Sequence, residues 1–268
     1  MVTGAAGGFG RIVAQRCASR GARIMALDIN EAGLNETRDL VASAGGTIEV
    51  ATTDVRLLGE MQAAAAAAVS AFGAIDVMVN NAGVMPLAFF ADHEKAAPAW
   101  DRCIDVNIKG VLNGMLCVYD QMIAQSRGHI VNLSSIYSNF PVAGAGVYGA
   151  SKAAVNMMSE ALRVEAQGKI KVTIVRPTGV PATNLGSGIV NDQAIIGILG
   201  QNAGTYGQKL AAMGSDDAPA EYLDSDHIEY AALAPEHLAE QIVYVIDQPW
   251  GVSIGDITVR ASGDGYIL

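Results

Sequence analysis

Thr3-Gly4-Ala5-Ala6-Gly7-Gly8-Phe9-Gly10 places glycine at four of eight positions, and only Thr3 and Phe9 carry side chains larger than a methyl. Glycine admits positive φ and lets a backbone approach a ligand closely, while a helix starting near Phe9 aims unpaired N–H groups at an anion. A pyrophosphate fits such a turn. The spacing is not the common G-x-G-x-x-G, so the loop alone is weak evidence and an ordinary tight turn is its plainer explanation. Asp28 strengthens the reading. It ends the next apolar run, 18 positions after Gly10, where a carboxylate can accept both hydroxyls of an adenosine ribose and repel the extra phosphate of NADP. No Lys or Arg stands at Ala6 or Gly7 or directly after Asp28, so NAD is the expected cofactor.

Working outward from the loop, short β-branched runs alternate with helix-length segments. The runs are Ala22 to Leu27, Thr47 to Thr52, Ile75 to Val79, His129 to Leu133, Val172 to Val175 and Asp256 to Val259. Such alternation implies right-handed βαβ units and a doubly wound, Rossmann-type α/β fold, a parallel sheet with helices on both faces. Helices are expected over Phe9 to Ser19, Met61 to Phe72, Ile108 to Gln125 and Ser151 to Gln167. The chain of 268 residues is expected to form one domain. Thr183 to Ala234 is only partly periodic and rich in Gly, Ala, Ser and Asp; it is read as a cover over a site, the alternative being an insertion that packs elsewhere.

Composition narrows the function. Residues are 51% hydrophobic and 16% charged, with a net charge of -10, which argues against binding a phosphate backbone. No apolar stretch approaches the roughly 20 residues that span a bilayer, and no basic region followed by an apolar run opens the chain. Neither nucleic acid nor membrane is an expected partner, and a cytoplasmic location is expected. Cys17, Cys103 and Cys117 are far apart and read as core thiols; His93, His129, His227 and His237 show no ligand spacing, so no metal is assigned.

Asp54-Val55 and Asn80-Asn81-Ala82-Gly83 follow the second and third of these runs, and strand ends of an open α/β sheet converge on one crevice. Tyr148 and Lys152 lie four apart at the start of a helix, on one face. A fixed ammonium about 5 Å from a phenol, at an effective dielectric of about 20, favours the phenolate by roughly 3 kcal/mol, some two pKa units. That brings Tyr148 within range of acid/base work. Ser135, 13 residues upstream, ends the preceding strand, and Asn107 begins the helix expected to flank the crevice.

In these motifs and their order the chain resembles the short-chain dehydrogenase/reductase family, in its single-domain branch. The family's T-G-x-x-x-G-x-G matches Thr3, Gly4, Gly8 and Gly10, its N-N-A-G matches Asn80 to Gly83, and its Y-x-x-x-K matches Tyr148 and Lys152. The resemblance runs from Thr3 to about Ser262 and implies a sheet of about seven strands. It implies that Tyr148 is the acid/base, Lys152 holds the nicotinamide ribose and lowers the Tyr pKa, Ser135 orients the substrate oxygen and Asn107 holds a water for proton relay. Gly4, Gly8, Phe9, Gly10, Asp28, Asp54, Val55, Asn81, Ala82, Gly83, Pro177 and Val180 would join Tyr148 and Lys152 in binding NAD. A homodimer or homotetramer formed through 108–125 and 151–167 is also implied.

Two departures stand out. Pro177-Thr178-Gly179-Val180-Pro181-Ala182-Thr183 replaces the family's P-G-x-V-x-T, so Val180 keeps its place while Thr183 comes one residue late. The first strand, before Gly4, is nearly absent; either the natural chain starts upstream or another segment is expected to fill the gap. Met85, Pro86, Leu87, Tyr137, Phe140, Val142, Ile189 and Val190 suggest an apolar wall, hence a neutral, mostly apolar secondary alcohol or ketone. Two other readings are weighed: a dinucleotide-binding regulator without turnover, and an epimerase or dehydratase.

Overall fold

The computed structural model describes residues 1–180, 184–215 and 217–268. Seven strands, β1 (Val2–Thr3), β2 (Arg23–Asp28), β3 (Thr47–Thr52), β4 (Val77–Asn80), β5 (His129–Leu133), β6 (Lys171–Pro177) and β7 (Asp256–Val259), form one parallel sheet in the order β3-β2-β1-β4-β5-β6-β7. Strands β1 to β3 progress one way and β4 to β7 the other, so the order reverses between β1 and β4. Open α/β sheets bind their ligands at that reversal.

The helices are α1 (Gly8–Ser19), α2 (Glu31–Ser43), α3 (Leu58–Phe72), α4 (His93–Cys103), α5 (Gly110–Gln125), α6 (Gly146–Glu165), α7 (Ala203–Met213), α8 (Ala220–Leu223) and α9 (Pro235–Ile246). Side chains alternate across each strand and bury on both faces of the inner strands, while edge strands β3 and β7 mix exposed and half-buried residues. In β2, Ile24 and Ala26 join Val13 of α1, Leu34 of α2 and Ile242 of α9, while Met25 and Leu27 join Met61 of α3, Val118 of α5 and Val155 of α6. At about 25 cal/mol per Å² of apolar surface removed from water, these two layers are the main source of stability.

Helix ends follow local chemistry. Asn30 caps α2, its side chain accepting from the Gly33 N–H at 3.1 Å, and Gly73 ends α3 in the left-handed region at φ 85°. Helices α2, α4 and α9 lie outside the stretches expected to be helical from the sequence. Helix α4 contains Pro98 and runs through a π-turn, Ile104–Lys109, directly into α5. Asn107 therefore lies within a continuous helical stretch instead of beginning a helix, because the wider π-turn absorbs an extra residue.

The first strand is as short as the sequence implies. Val2 pairs with Ala26 on one side and Val79 on the other, and Thr3 pairs with Leu27. Beneath Met1 a cavity of about 280 Å³ remains between β2 and β4, lined by Ala22, Met25, Phe72, Ile75 and Val77.

A third apolar cluster lies beyond the C-terminal ends of β4 to β6. It joins Leu87, Ile136, Tyr137 and Tyr148 to Ala194, Ile198, Leu199 and Tyr206 from the segment after β6.

Candidate active site

The glycine loop has the backbone that its composition requires. Gly4 and Gly8 lie at φ +66° and +50°, and a Cβ on Gly4 would come within 2.8 Å of the Asn81 Nδ2. Gly10 lies behind the loop, where a Cβ would sit 2.2 Å from the Gly4 carbonyl oxygen, so α1 begins in direct contact with the turn. No side chain caps α1 at Gly7. Its first N–H groups are thus left for an anion, in the favourable field of a helix N-terminus.

Neighbouring strand ends are laced to this loop. The Ala6 N–H donates to Asp28 Oδ2 at 3.1 Å and the Asn30 N–H to Oδ1 at 3.0 Å. Asn81 Nδ2 donates to the Thr3 carbonyl at 2.9 Å, and Thr3 Oγ1 accepts from the Asn81 and Ala82 N–H groups at 3.0 and 3.1 Å.

Together these segments wall a cleft of about 820 Å³. Gly4, Gly8, Phe9 and Asp28 line it on the β2 side, Asp54, Val55, Asn81, Ala82 and Gly83 border it, and Tyr148, Lys152 and Pro177 line it on the β5 and β6 side. Of the sequence-derived nucleotide residues, Gly10 and Val180 do not line the cleft. Gly10 is covered by the turn, and Val180 packs against the Val2 core cluster. Pro181, Ala182 and Thr183 lie outside the described residues. The Asp54 carboxylate is paired with Arg56 at 2.5 Å, and that hydrogen bond holds it below the usual carboxylate range.

Arg102 and Gly188 also line the cleft, and sequence reasoning missed both. Arg102 comes from α4, where no helix was expected from the sequence, and Gly188 from the partly periodic segment after β6.

Tyr148 and Lys152 occupy successive turns at the start of α6 and are 3% and 5% exposed. Ser135 precedes a single 3-10 turn, Ile136–Ser138, its Oγ accepts from the Tyr137 N–H at 3.3 Å, and its hydroxyl acts on the Tyr148 phenol electrostatically. Tyr137 packs edge-on against Tyr148 with ring centroids 5.4 Å apart. Lys152 Nζ donates to the Leu133 carbonyl at 2.8 Å and lies 6.0 Å from the Tyr148 ring centroid.

The electrostatics correct one expectation. Burial pushes the Tyr148 phenol above its ordinary value, the Ser135 hydroxyl opposes that shift, and the Lys152 ammonium does not enter the balance. Desolvation outweighs the attraction estimated from spacing, because Lys152 is aimed at Leu133 and is itself buried, its own pKa lowered to about 8. In this arrangement Tyr148 is a phenol holding its proton, suited first to donate it.

Asn107 is fully buried, and its amide is used within the protein. Oδ1 accepts from the Val84 N–H at 2.9 Å, and Nδ2 donates to the Val84 carbonyl at 2.9 Å and to Ser151 Oγ at 3.0 Å. A water relay through Asn107 is therefore left with the second lone pair of Oδ1 or the main chain. A Cβ on Gly83 would lie 3.4 Å from Asn107 Oδ1 and 3.5 Å from Lys152 Nζ, which puts N-N-A-G against both residues.

A glycine loop, a strand-end Asp and the Tyr148–Lys152 pair thus share one cleft at the reversal of a parallel sheet, while Ser135 and Asn107 are not among the residues that line it. The family model for short chain dehydrogenase matches residues 1–194. The chain belongs to that family. As a short-chain dehydrogenase it is an oxidoreductase of a widely represented type. It is 31% identical over 261 residues to an uncharacterized oxidoreductase of Staphylococcus aureus (strain N315), covering 97% of this chain and 95% of that protein. Serine dehydrogenase in its closed form, complexed with NADP+, superposes with a TM-score of 0.77 at 28% identity, covering 96% of this chain and 92% of the other. A short chain dehydrogenase/reductase from Burkholderia phymatum in complex with NAD gives 0.74 at 27% identity, covering 96% and 86%. Similar short-chain dehydrogenases thus hold either nicotinamide dinucleotide.

Proposed function

We propose that this short-chain dehydrogenase interconverts a secondary alcohol and a ketone with NAD as its nucleotide, on a neutral and mostly apolar substrate. The observation that carries this reading is the pair Tyr148 and Lys152, buried on successive turns of α6 and lining the same cleft as the glycine loop.

The residues present fit the nucleotide. The left-handed glycines leave a cradle without side chains, the uncapped start of α1 suits a pyrophosphate, and Asp28 is oriented by two backbone N–H groups. A carboxylate at that place favours NAD over NADP. When bound, the nicotinamide accepts hydride from the carbinol carbon or returns it to the carbonyl carbon.

In the reductive direction Tyr148 donates its proton to the substrate oxygen while the Ser135 hydroxyl stabilises the charge developing there. In the oxidative direction Tyr148, as the phenolate, takes the alcohol proton, and Lys152 would hold the nicotinamide ribose. Asn107 buckles the end of β4 to α6 through Val84 and Ser151, which fixes the floor under the reacting atoms.

The neutral substrate is supported by the cluster of Met85, Leu87, Tyr137, Val142 and Ile189 around Tyr148. Lys152 is the one cation near Tyr148 among the described cleft residues; Arg56 and Arg102 are associated with Asp54. The packing of Ala194, Ile198 and Tyr206 on this cluster supports a substrate cover within 183–234 of a single domain. Exposed Leu116 on α5 and Met157 and Val164 on α6 favour a homodimer or homotetramer. The free thiols of Cys17, Cys103 and Cys117 suit the cytoplasm. Among the described residues no helix is long and apolar enough to cross a membrane.

The test is absorbance of reduced nicotinamide with NAD or NADP and a panel of secondary alcohols, with Tyr148→Phe in parallel. Turnover with NAD that vanishes in the variant supports the reading. Nucleotide binding without turnover across the panel would favour a regulator, and activity confined to acidic or phosphorylated substrates would sink the neutral-substrate assignment.

A further inference from the structure

The chain after β7 folds back over the site and is anchored along its length. Arg260 pairs with Asp264 at 2.5 Å and donates to the Tyr266 and Leu268 carbonyls at 2.8 and 2.5 Å. Asn202 Nδ2 donates to the Gly265 carbonyl at 3.1 Å, the Ile267 N–H to the Ile198 carbonyl at 3.1 Å, and the Gly263 N–H to the Tyr230 carbonyl at 2.8 Å. These contacts tie 260–268 to the segment that packs over Tyr148, and Tyr266 and Leu268 join the same apolar cluster.

Tyr266 is thereby aimed at the turn that leaves β6. Its ring meets Tyr206 edge-on at 5.5 Å, and the Tyr206 hydroxyl is itself fixed by donating to the Ala231 carbonyl at 2.7 Å. A Cβ on Gly179 would lie 1.6 Å from the Tyr266 hydroxyl oxygen and 2.3 Å from its Cζ. Gly179 is not in the left-handed region, so this glycine is required for room and not for conformation. The turn is fixed at its other points: Pro177 lines the cleft, the Thr178 N–H donates to the Val259 carbonyl at 3.1 Å, and Val180 packs on the core.

We propose that Tyr266 is a positioning residue for the nicotinamide end of the cleft: its hydroxyl occupies the space of an absent side chain at Gly179 and sets the Pro177–Val180 turn. The assignment rests on the nucleotide reading given above. It also accounts for the glycine at the x position of the family's P-G-x, since no side chain fits at Gly179 where a tyrosine hydroxyl presses on it. The tail and the turn act as one unit, so changes at the two positions are coupled.

The test is a double-mutant cycle on the full chain, with NADH affinity read by fluorescence and kcat and KM for NAD by absorbance. Gly179→Ala, whose Cβ meets the hydroxyl, is expected to weaken NADH binding about tenfold, and Tyr266→Ala about fivefold, with kcat at saturating nucleotide changed less than threefold. Gly179→Ala combined with Tyr266→Ala is expected to recover at least fivefold in affinity over Gly179→Ala alone. Circular dichroism and thermal melts accompany each variant. If Tyr266→Ala does not fold, Tyr266→Phe takes its place in the cycle, with rescue of Gly179→Ala by about threefold expected. Additive effects, or affinities all within twofold of wild type, would overturn the assignment while leaving the nucleotide reading intact. A wild-type protein that binds neither NADH nor NADPH overturns the nucleotide reading and the Tyr266 assignment with it.

Discussion

Lys152 Nζ donates to the main-chain carbonyl of Leu133 at 2.8 Å, joining α6 to the end of β5 by a buried ammonium. Burial lowers the amine to about 8 from 10.5, so between those pH values the unfolded chain binds more protons than the folded one. The burial penalty is therefore fully present below pH 8 and is relieved as pH rises to 10.5, a difference of about 3 kcal/mol. Lys152→Met is expected to abolish turnover while raising stability at pH 7 by about 1–2 kcal/mol, after loss of the Leu133 hydrogen bond. Urea melts at pH 7 and pH 10 check this: the advantage of the variant should shrink at the higher pH. Equal destabilisation at both would refute it.

Asp28 Oδ2 accepts from the Ala6 N–H of the glycine loop, so the carboxylate that would select NAD is fixed by the loop that would hold the pyrophosphate. Asp28→Ala should lower the ratio of kcat/KM for NAD over NADP by about tenfold or more, by removing a repulsion as well as an attraction. Steady-state kinetics with both nucleotides measure the ratio. An unchanged ratio would mean that another group sets the preference.

His129 begins β5 and is 3% exposed, with Nε2 paired to Thr173 Oγ1 at 2.8 Å and Nδ1 without a partner. Burial, aided by Lys171, lowers its pKa to about 3 from 6.5. The folded state keeps the ring neutral while the unfolded chain takes up a proton, so stability is lost as pH falls from 6.5 towards 3. From pH 7 to pH 5 the loss from this group should be about 2 kcal/mol, and His129→Gln should flatten that slope. Denaturant titrations at the two pH values decide the matter.

Gly114 of α5 packs directly on Asn80, where a Cβ would lie 1.8 Å from the Asn80 Oδ1. Gly114→Ala is expected to cost about 1–3 kcal/mol through overpacking and to disturb the adjacent Asn81. Gly59 of α3 has nothing within 4 Å of its Cβ position, and Gly59→Ala should stabilise by about 0.4–1 kcal/mol. Thermal melts of both variants form a matched test, and similar shifts in the same direction would count against the packing argument.

Much of this molecule was legible along the chain because its signals are local. The β-branched runs, the glycine loop and the one-turn spacing of Tyr148 and Lys152 depend on backbone geometry over a few residues, and each lies where its spacing implied. The short first strand was also visible, and the cavity beneath Met1 is its consequence. Helices α2, α4 and α9 lie outside the stretches read as helical; Pro98 stands inside α4, and α2 and α9 pack on the core through Leu34, Val41, Leu238 and Ile242.

Sequence by itself determined the family, the parallel sheet and the residues that meet at its C-terminal edge, because motif order and strand alternation suffice to place them. Tertiary structure alone decided how those residues behave. The Tyr148 phenol is raised and not lowered, since desolvation by elements far apart in sequence outweighs a neighbouring ammonium aimed elsewhere. The same holds for Gly179, whose lack of a side chain is explained only by a hydroxyl 87 positions later in the chain. Burial and close contact are sums over the whole fold, and no local pattern in the sequence contains them.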